Sequence, residues 1–183
     1  MAKIGLNNFR YAILTENGSS YSYGGAKKPA KAISCSVSIT NNSATLYADD
    51  VLAESDTSFQ SGTVTIGIDD EDMTTMADLL GHTVTGDEMV RSASDTAPYV
   101  GLGRIVVKMV NGTYKYKVEF LSKVKFSEPS QDDTTKGESL EFGTSEIEGM
   151  VSTLADGTWS KTKTFDSQDS ALSYLESLCG ASI

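Results

Sequence analysis

The chain has 183 residues, 39% hydrophobic and 22% charged, which is ordinary for one globular domain with a proper core. Its formal charge is −10 with a pI near 4.5. That balance excludes a protein that grips nucleic acid through a basic, counterion-releasing face, and it favours a free subunit that stays soluble. Abundant Gly, Ser and Thr with only three prolines predict strands and turns.

The N-terminus, Met1 to Leu14, has no long apolar core and no small-residue cleavage site. No apolar run approaches the ~18 residues of a membrane span, so synthesis in the cytoplasm is expected. From Asn8 to Thr15, Phe9, Tyr11 and Ile13 alternate with Ala12 and Leu14, the pattern of a strand buried on both sides or at an interface. A turn at Glu16–Ser20 and a Gly/Lys-rich connection over Tyr21–Lys31 follow. Ile33, Cys35, Val37 and Ile39 then alternate with Ser34, Ser36, Ser38 and Thr40, an amphipathic strand with one face in a core.

Alternation is lost from Asn41 to Gln60. The segment is expected to be a long loop, acidic at Asp49, Asp50, Glu54 and Asp56. Its apolar Leu46, Tyr47, Val51 and Leu52 argue against disorder and look like residues awaiting a partner surface. Ser61–Asp69 resumes as a strand with Val64, Ile66 and Ile68 inward. Asp69-Asp70-Glu71-Asp72 then opens a short helix, with Met73, Met76, Ala77 and Leu80 on one face and Gly81 as the stop. Tyr99–Val110 and Tyr114–Phe126 alternate around Asn111-Gly112, a hairpin signal. Ser139–Thr153 and Gly157–Phe165 are expected as a further strand pair. A helix over Ser167–Cys179 closes the chain, with Ala171, Leu172, Leu175 and Leu178 as its stripe and Gly180 as its cap. The sum is a mainly β single domain over 1–183: a β-sandwich of two packed antiparallel sheets, a central short helix and a C-terminal helix.

No catalytic, cofactor or metal motif is present. His82, the only histidine, follows a helix C-terminus, where a cationic ring caps carbonyls; no G-x-S-x-G, H-E-x-x-H or phosphate-cradling loop accompanies it. The Asp69–Asp72 cluster lacks calcium-loop spacing and reads as helix capping. Asp49-Asp50 and Asp132-Asp133 read as solvated loop charges. Cys35 and Cys179, 144 positions apart, read as buried reduced thiols. Asn17, Asn41 and Asn111 match a glycosylation pattern but read as turn residues. The reading is therefore a protein that is not an enzyme and needs no cofactor.

Several blocks, in order, resemble the major tail protein (tail tube) family of long-tailed bacteriophages, in the branch common in phages and prophages of Gram-positive bacteria. They are Ser43-Ala44-Thr45-Leu46-Tyr47-Ala48-Asp49-Asp50, Leu80-Gly81-His82, Ala97-Pro98-Tyr99-Val100-Gly101-Leu102-Gly103, Phe126-Ser127-Glu128-Pro129 leading to Thr135-Lys136-Gly137-Glu138-Ser139-Leu140-Glu141-Phe142, and Ile147-Glu148-Gly149. The resemblance implies a tail-tube fold and hexameric rings whose sheets join into a barrel around a lumen. It also implies ring stacking through a long loop, here 41–60, with Leu46, Tyr47, Asp49, Asp50, Val51 and Leu52 as its assembly contacts. The expected place is the virion tail. The expected partners are further copies, with tape-measure, terminator and distal tail proteins; DNA passes an acidic channel without specific binding, and no membrane is involved. The alternatives are a tube protein of a contractile injection or secretion system, and a β-sandwich carbohydrate-binding module, for which Tyr21 and Tyr23 are the only spaced aromatic pair in a loop and Trp159 stands alone.

Overall fold

The structure, a computed structural model, describes residues 2–29, 32–48, 51–68, 72–130 and 145–180. The elements are β1 (Ala2–Asn17), β2 (Ser20–Tyr23), β3 (Ala32–Ala48), β4 (Val51–Ile68), α1 (Met73–Leu80), β5 (Thr83–Thr85), β6 (Glu88–Val90), β7 (Tyr99–Val110), β8 (Thr113–Phe126), β9 (Ser145–Val151), β10 (Ser160–Phe165) and α2 (Gln168–Leu178). The chain is mainly β, and its described residues form two antiparallel sheets and two helices, as its periodicities predict.

The larger sheet runs β2-β1-β7-β8-β9-β4-β3, with β10 also on β8; the smaller is the β5–β6 ribbon. β7 and β8 form its spine. Asn111 (φ 49°) and Gly112 (φ 78°) both take positive φ, as the central residues of a type I′ turn do, and Val110 pairs with Thr113 across them. β9 and β10 are not a strand pair, contrary to the sequence expectation. Both lie along one edge of β8: β9 opposite Val124–Phe126, β10 opposite Tyr116–Leu121. The turn at Ala155-Asp156-Gly157 belongs to an excursion between them, anchored by buried Leu154, which exchanges backbone bonds with Gly157 and Thr158. Because β9 carries β4 and β3 while β10 stays with β8, the sheet divides there and one leaf, β9-β4-β3, turns over the other.

That leaf buries Val64, Ile66, Ile68, Ile147 and Val151 against Phe9, Tyr11, Val100, Leu102, Leu121, Val124 and Phe126. The two packed layers are thus two halves of one curled sheet. Met76, Leu79 and Leu80 of α1 close one end of this core. Met73, assigned to the buried stripe from sequence, is 41% exposed; it is the first residue of the helix and lies beyond the core's edge. Asp72 caps α1 by accepting from the Thr75 N–H, and Gly81 stops it in the left-handed conformation (φ 82°). On the far face of β1-β7-β8, α2 lays fully buried Ala171, Leu175 and Cys179 over Ala12, Ile105, Val118 and Phe120. Gly103 lets it come close: a Cβ there would sit 2.2 Å from Leu175 Cδ1. Among the described residues, no helix is long and apolar enough to cross a membrane.

Candidate assembly surface

The segment expected to be a loop is a β-hairpin arm. β3 and β4 stay paired from Ala32↔Ile68 to Ala48↔Val51, with register shifts after Ala32, Thr40 and Leu46, whereas β9 leaves β4 at Gly62. Among the described residues no third strand pairs with either one beyond Gly62, over roughly 35 Å at the ordinary strand rise. Alternation fails there because neither face has a core to meet: residues 41–44 and 55–58 are exposed. Asn41 accordingly lies within a strand, opposite Phe59, and not in a turn. Of the expected contact residues, Leu46 pairs with Glu54, Tyr47 with Leu52, and Ala48 with Val51 at the far end of the arm. Asp49 and Asp50 lie outside the described residues.

The leaf's outer face is as distinctive as its arm. Strand alternation places Ser34, Ser36, Ser38 and Thr40 of β3, Thr63 and Thr65 of β4, and Glu146, Glu148 and Met150 of β9 on it, in cross-strand rows. This surface of small hydroxyl side chains holds two exposed carboxylates and no Lys or Arg. The pattern extends along the chain: from Ala32 to Val90 there are eleven Asp or Glu and no Lys or Arg. Eight of the fifteen basic residues sit on β7, β8 and β10.

Between the leaves lies a cavity of about 260 Å³, floored by Phe9, Val37, Leu102 and Leu121. At its wall the Arg104 guanidinium donates to Glu119 Oε2 from Nε (2.9 Å) and Nη2 (2.6 Å). Arg104 also reaches across to β3, donating from Nη1 to Cys35 Sγ (2.6 Å) and, more weakly, to the Cys35 carbonyl (3.3 Å). Lys117 pairs with the other oxygen of Glu119. Burial alone would raise the Glu119 carboxyl, but the bonds from Lys117 and Arg104 outweigh it and hold it below the usual carboxylate range. Burial pushes the Cys35 thiol up despite the guanidinium beside it. The cluster ties β3, the root of the arm, to the β7–β8 spine. At the same root Phe59 stacks on Trp159, centroids 4.6 Å apart and planes within 5°. Cys35 is only partly buried, unlike Cys179, and both are free thiols.

His82 does not cap α1. Its ring is buried, with Nδ1 2.8 Å from Asp95 Oδ2 and Nε2 against Glu128. The bond from His82, with one from the Ser92 N–H, draws the Asp95 carboxyl below its usual range. A hydroxyl nucleophile would have to stand where Glu128 is. Among the described residues no group of three His, Cys, Asp or Glu side chains is placed to hold a metal. The aromatics expected of a carbohydrate platform are engaged internally: the Tyr23 hydroxyl donates to the Ser122 carbonyl (2.8 Å), its ring packs edge-on to Phe120, and Trp159 is covered by Phe59.

The arm's conformation, the hydroxyl–carboxylate face and the basic β10 edge escaped the sequence reading. The face was within reach, since the Ser34–Thr40 alternation marks one solvent side. No protein-family model matches the chain, and a search of curated proteins finds no relative.

Proposed function

We propose that the chain is a tail-tube subunit of a long-tailed bacteriophage, a structural virion protein whose hexameric rings stack into the conduit for DNA. The observation that carries this reading is the arm. A two-stranded ribbon exposed on both faces is marginal in water by itself, so a sequence that keeps one over about twenty residues gains most when the ribbon lies on another copy. The sequence at its end sets apolar Leu46, Tyr47, Val51 and Leu52 beside the acids Asp49 and Asp50, a composition suited to a protein–protein contact.

The outer leaf face supports the same reading. A duplex sliding through a channel needs walls that offer phosphates neither cations nor long side chains to hold them, and Glu146 and Glu148 among serine and threonine hydroxyls meet that need. In the tail, tape-measure, terminator and distal tail proteins would cap and fill the tube.

Negative-stain microscopy of the purified chain tests the proposal. Concentrated wild-type protein is expected to form rings or tubes, and a variant lacking residues 44–56 to stay folded but fail to stack. Strictly monomeric wild-type protein, or a deletion without effect on assembly, refutes it.

A further inference from the structure

Among the described residues β10 pairs with β8 alone, which leaves its outer edge as a row of backbone donors and acceptors from Ser160 to Phe165 without a strand partner there. Such an edge accepts a strand from another chain unless it is blocked. No proline lies in β10, and no β-bulge interrupts its register with β8. Lys161 and Lys163 stand two positions apart, on one face of the strand. Both are steered by aromatic rings: Lys161 Nζ lies 5.8 Å from the Tyr21 centroid, and Lys163 Nζ lies 5.0 and 4.9 Å from those of Phe165 and Tyr174. Among the described residues neither has a carboxylate in ion-pair reach, whereas Lys115, Lys117 and Lys123 are each paired.

The arm offers the complement. Among the described residues no strand pairs with the outer edge of β4 past Gly62, and this stretch carries Glu54 and the exposed Asp56, again two positions apart. Spacing of two on each strand puts both acids on one face and both lysines on one face, so adjacent strands bring them together in either direction. No Lys or Arg lies anywhere on β3 or β4 to repel the approach.

We propose that the arm of one copy adds as a strand to the β10 edge of a second copy, with Glu54 and Asp56 facing Lys161 and Lys163. This rests on the tube-subunit reading and names the surface that receives the arm. The contact is heterologous, arm to edge, so each copy can both give and receive, and repetition yields a ring or a stack.

Sedimentation velocity and negative-stain microscopy on the full chain test it, using wild type, Lys161→Glu/Lys163→Glu, Glu54→Lys/Asp56→Lys, and the four changes combined. Asp56 and Lys163 are exposed and Lys161 is half-buried, its Nζ donating to the Tyr21 hydroxyl (3.3 Å), so circular dichroism with urea unfolding checks that each variant is folded. Wild-type self-association is expected to weaken with added salt. Each double reversal should lower the association constant about 30-fold, from two cross-strand pairs turned from attraction to repulsion. The combined variant should recover it, because opposite charges again face each other. Double reversals that assemble like wild type overturn the proposal, as does a combined variant that stays dissociated; either result leaves the tube-subunit reading standing. Wild-type protein that never self-associates overturns both.

Discussion

Glu119→Gln isolates the contact that holds the root of the arm. The change keeps size and shape but removes the charge that accepts from Arg104 at 2.6 and 2.9 Å and from Lys117. The Arg104 and Glu119 side chains are 15% and 19% exposed, so water screens the pair only in part. Hydrogen bonds to charged groups contribute about 1.5–3 kcal/mol. Loss of one partner of a fully buried pair costs more, roughly 3–5 kcal/mol, and partial exposure keeps this case below that range. A loss of about 2 kcal/mol at neutral pH is expected, or about 4–8 °C in Tm for a chain of this length. The folded state depresses the Glu119 pKa, so its contribution is complete above the ordinary carboxylate range. It disappears as pH falls through the depressed value, where a protonated carboxyl and an amide become equivalent. Urea unfolding followed by the single tryptophan, Trp159, which is stacked on Phe59 at the same root, measures this between pH 7 and 3. Wild type and variant should differ at pH 7 and converge toward pH 3. A gap that persists undiminished at low pH, or that is absent at pH 7, refutes the assignment. Arg104→Met added to Glu119→Gln should recover part of the loss, because no unpaired guanidinium then remains.

Gly103→Ala should destabilise by about 1–3 kcal/mol, since its Cβ would overlap Leu175 Cδ1 and press on Phe120 Cδ2 at 3.1 Å. Combined with Leu175→Ala, the cost in denaturant titrations should fall short of the sum of the two single changes. Burial raises both thiols, Cys179 to about 12, so at pH 8 neither should react with an aromatic disulfide at the rate of a free cysteine. Half-buried Cys35 should label before Cys179, and both should label at once in guanidinium; rapid native labelling of Cys179 would contradict the packing of α2.

What the sequence made legible is what a core makes periodic. β7 and β8 carry regularly spaced apolar residues because the β9-β4-β3 leaf presses on one of their faces and α2 on the other, and Asn111-Gly112 sets the hairpin between them. Arg104 and Glu119 lie equidistant from that turn, so their pairing followed from the hairpin even though it was not drawn. The reach of Arg104 to Cys35 was not available, because it depends on how far the β3–β4–β9 leaf turns over. The arm was misread for the opposite reason: with no core beneath it, a strand loses the apolar–polar alternation by which strands are recognised, and Asn41-Asn42-Ser43 then resembles a turn. Three-residue β5 and β6, and β2 among glycines, are too short to show a period. β10 was found as a strand but assigned the wrong neighbour, since edge order depends on where β9 ends.

The net charge of −10 also hid a distribution. Read as an average it describes a uniformly repellent surface, yet Ala32–Val90 holds acids alone while β7, β8 and β10 hold more than half of the cations. A uniformly acidic subunit would repel its own copies in every orientation. A segregated one would attract them in the orientations that bring the arm to the basic strands and repel them in the others, an effect that sets register and approach more than strength and that salt screens. The same segregation leaves the outer leaf face without a cation, so the surface that would meet nucleic acid stays non-adhesive while the strands that would meet another copy do not. Both properties come from one choice, the exclusion of Lys and Arg from β3, β4 and β9, and a lysine introduced at Ser36 or Thr65 would impair the second without touching the first.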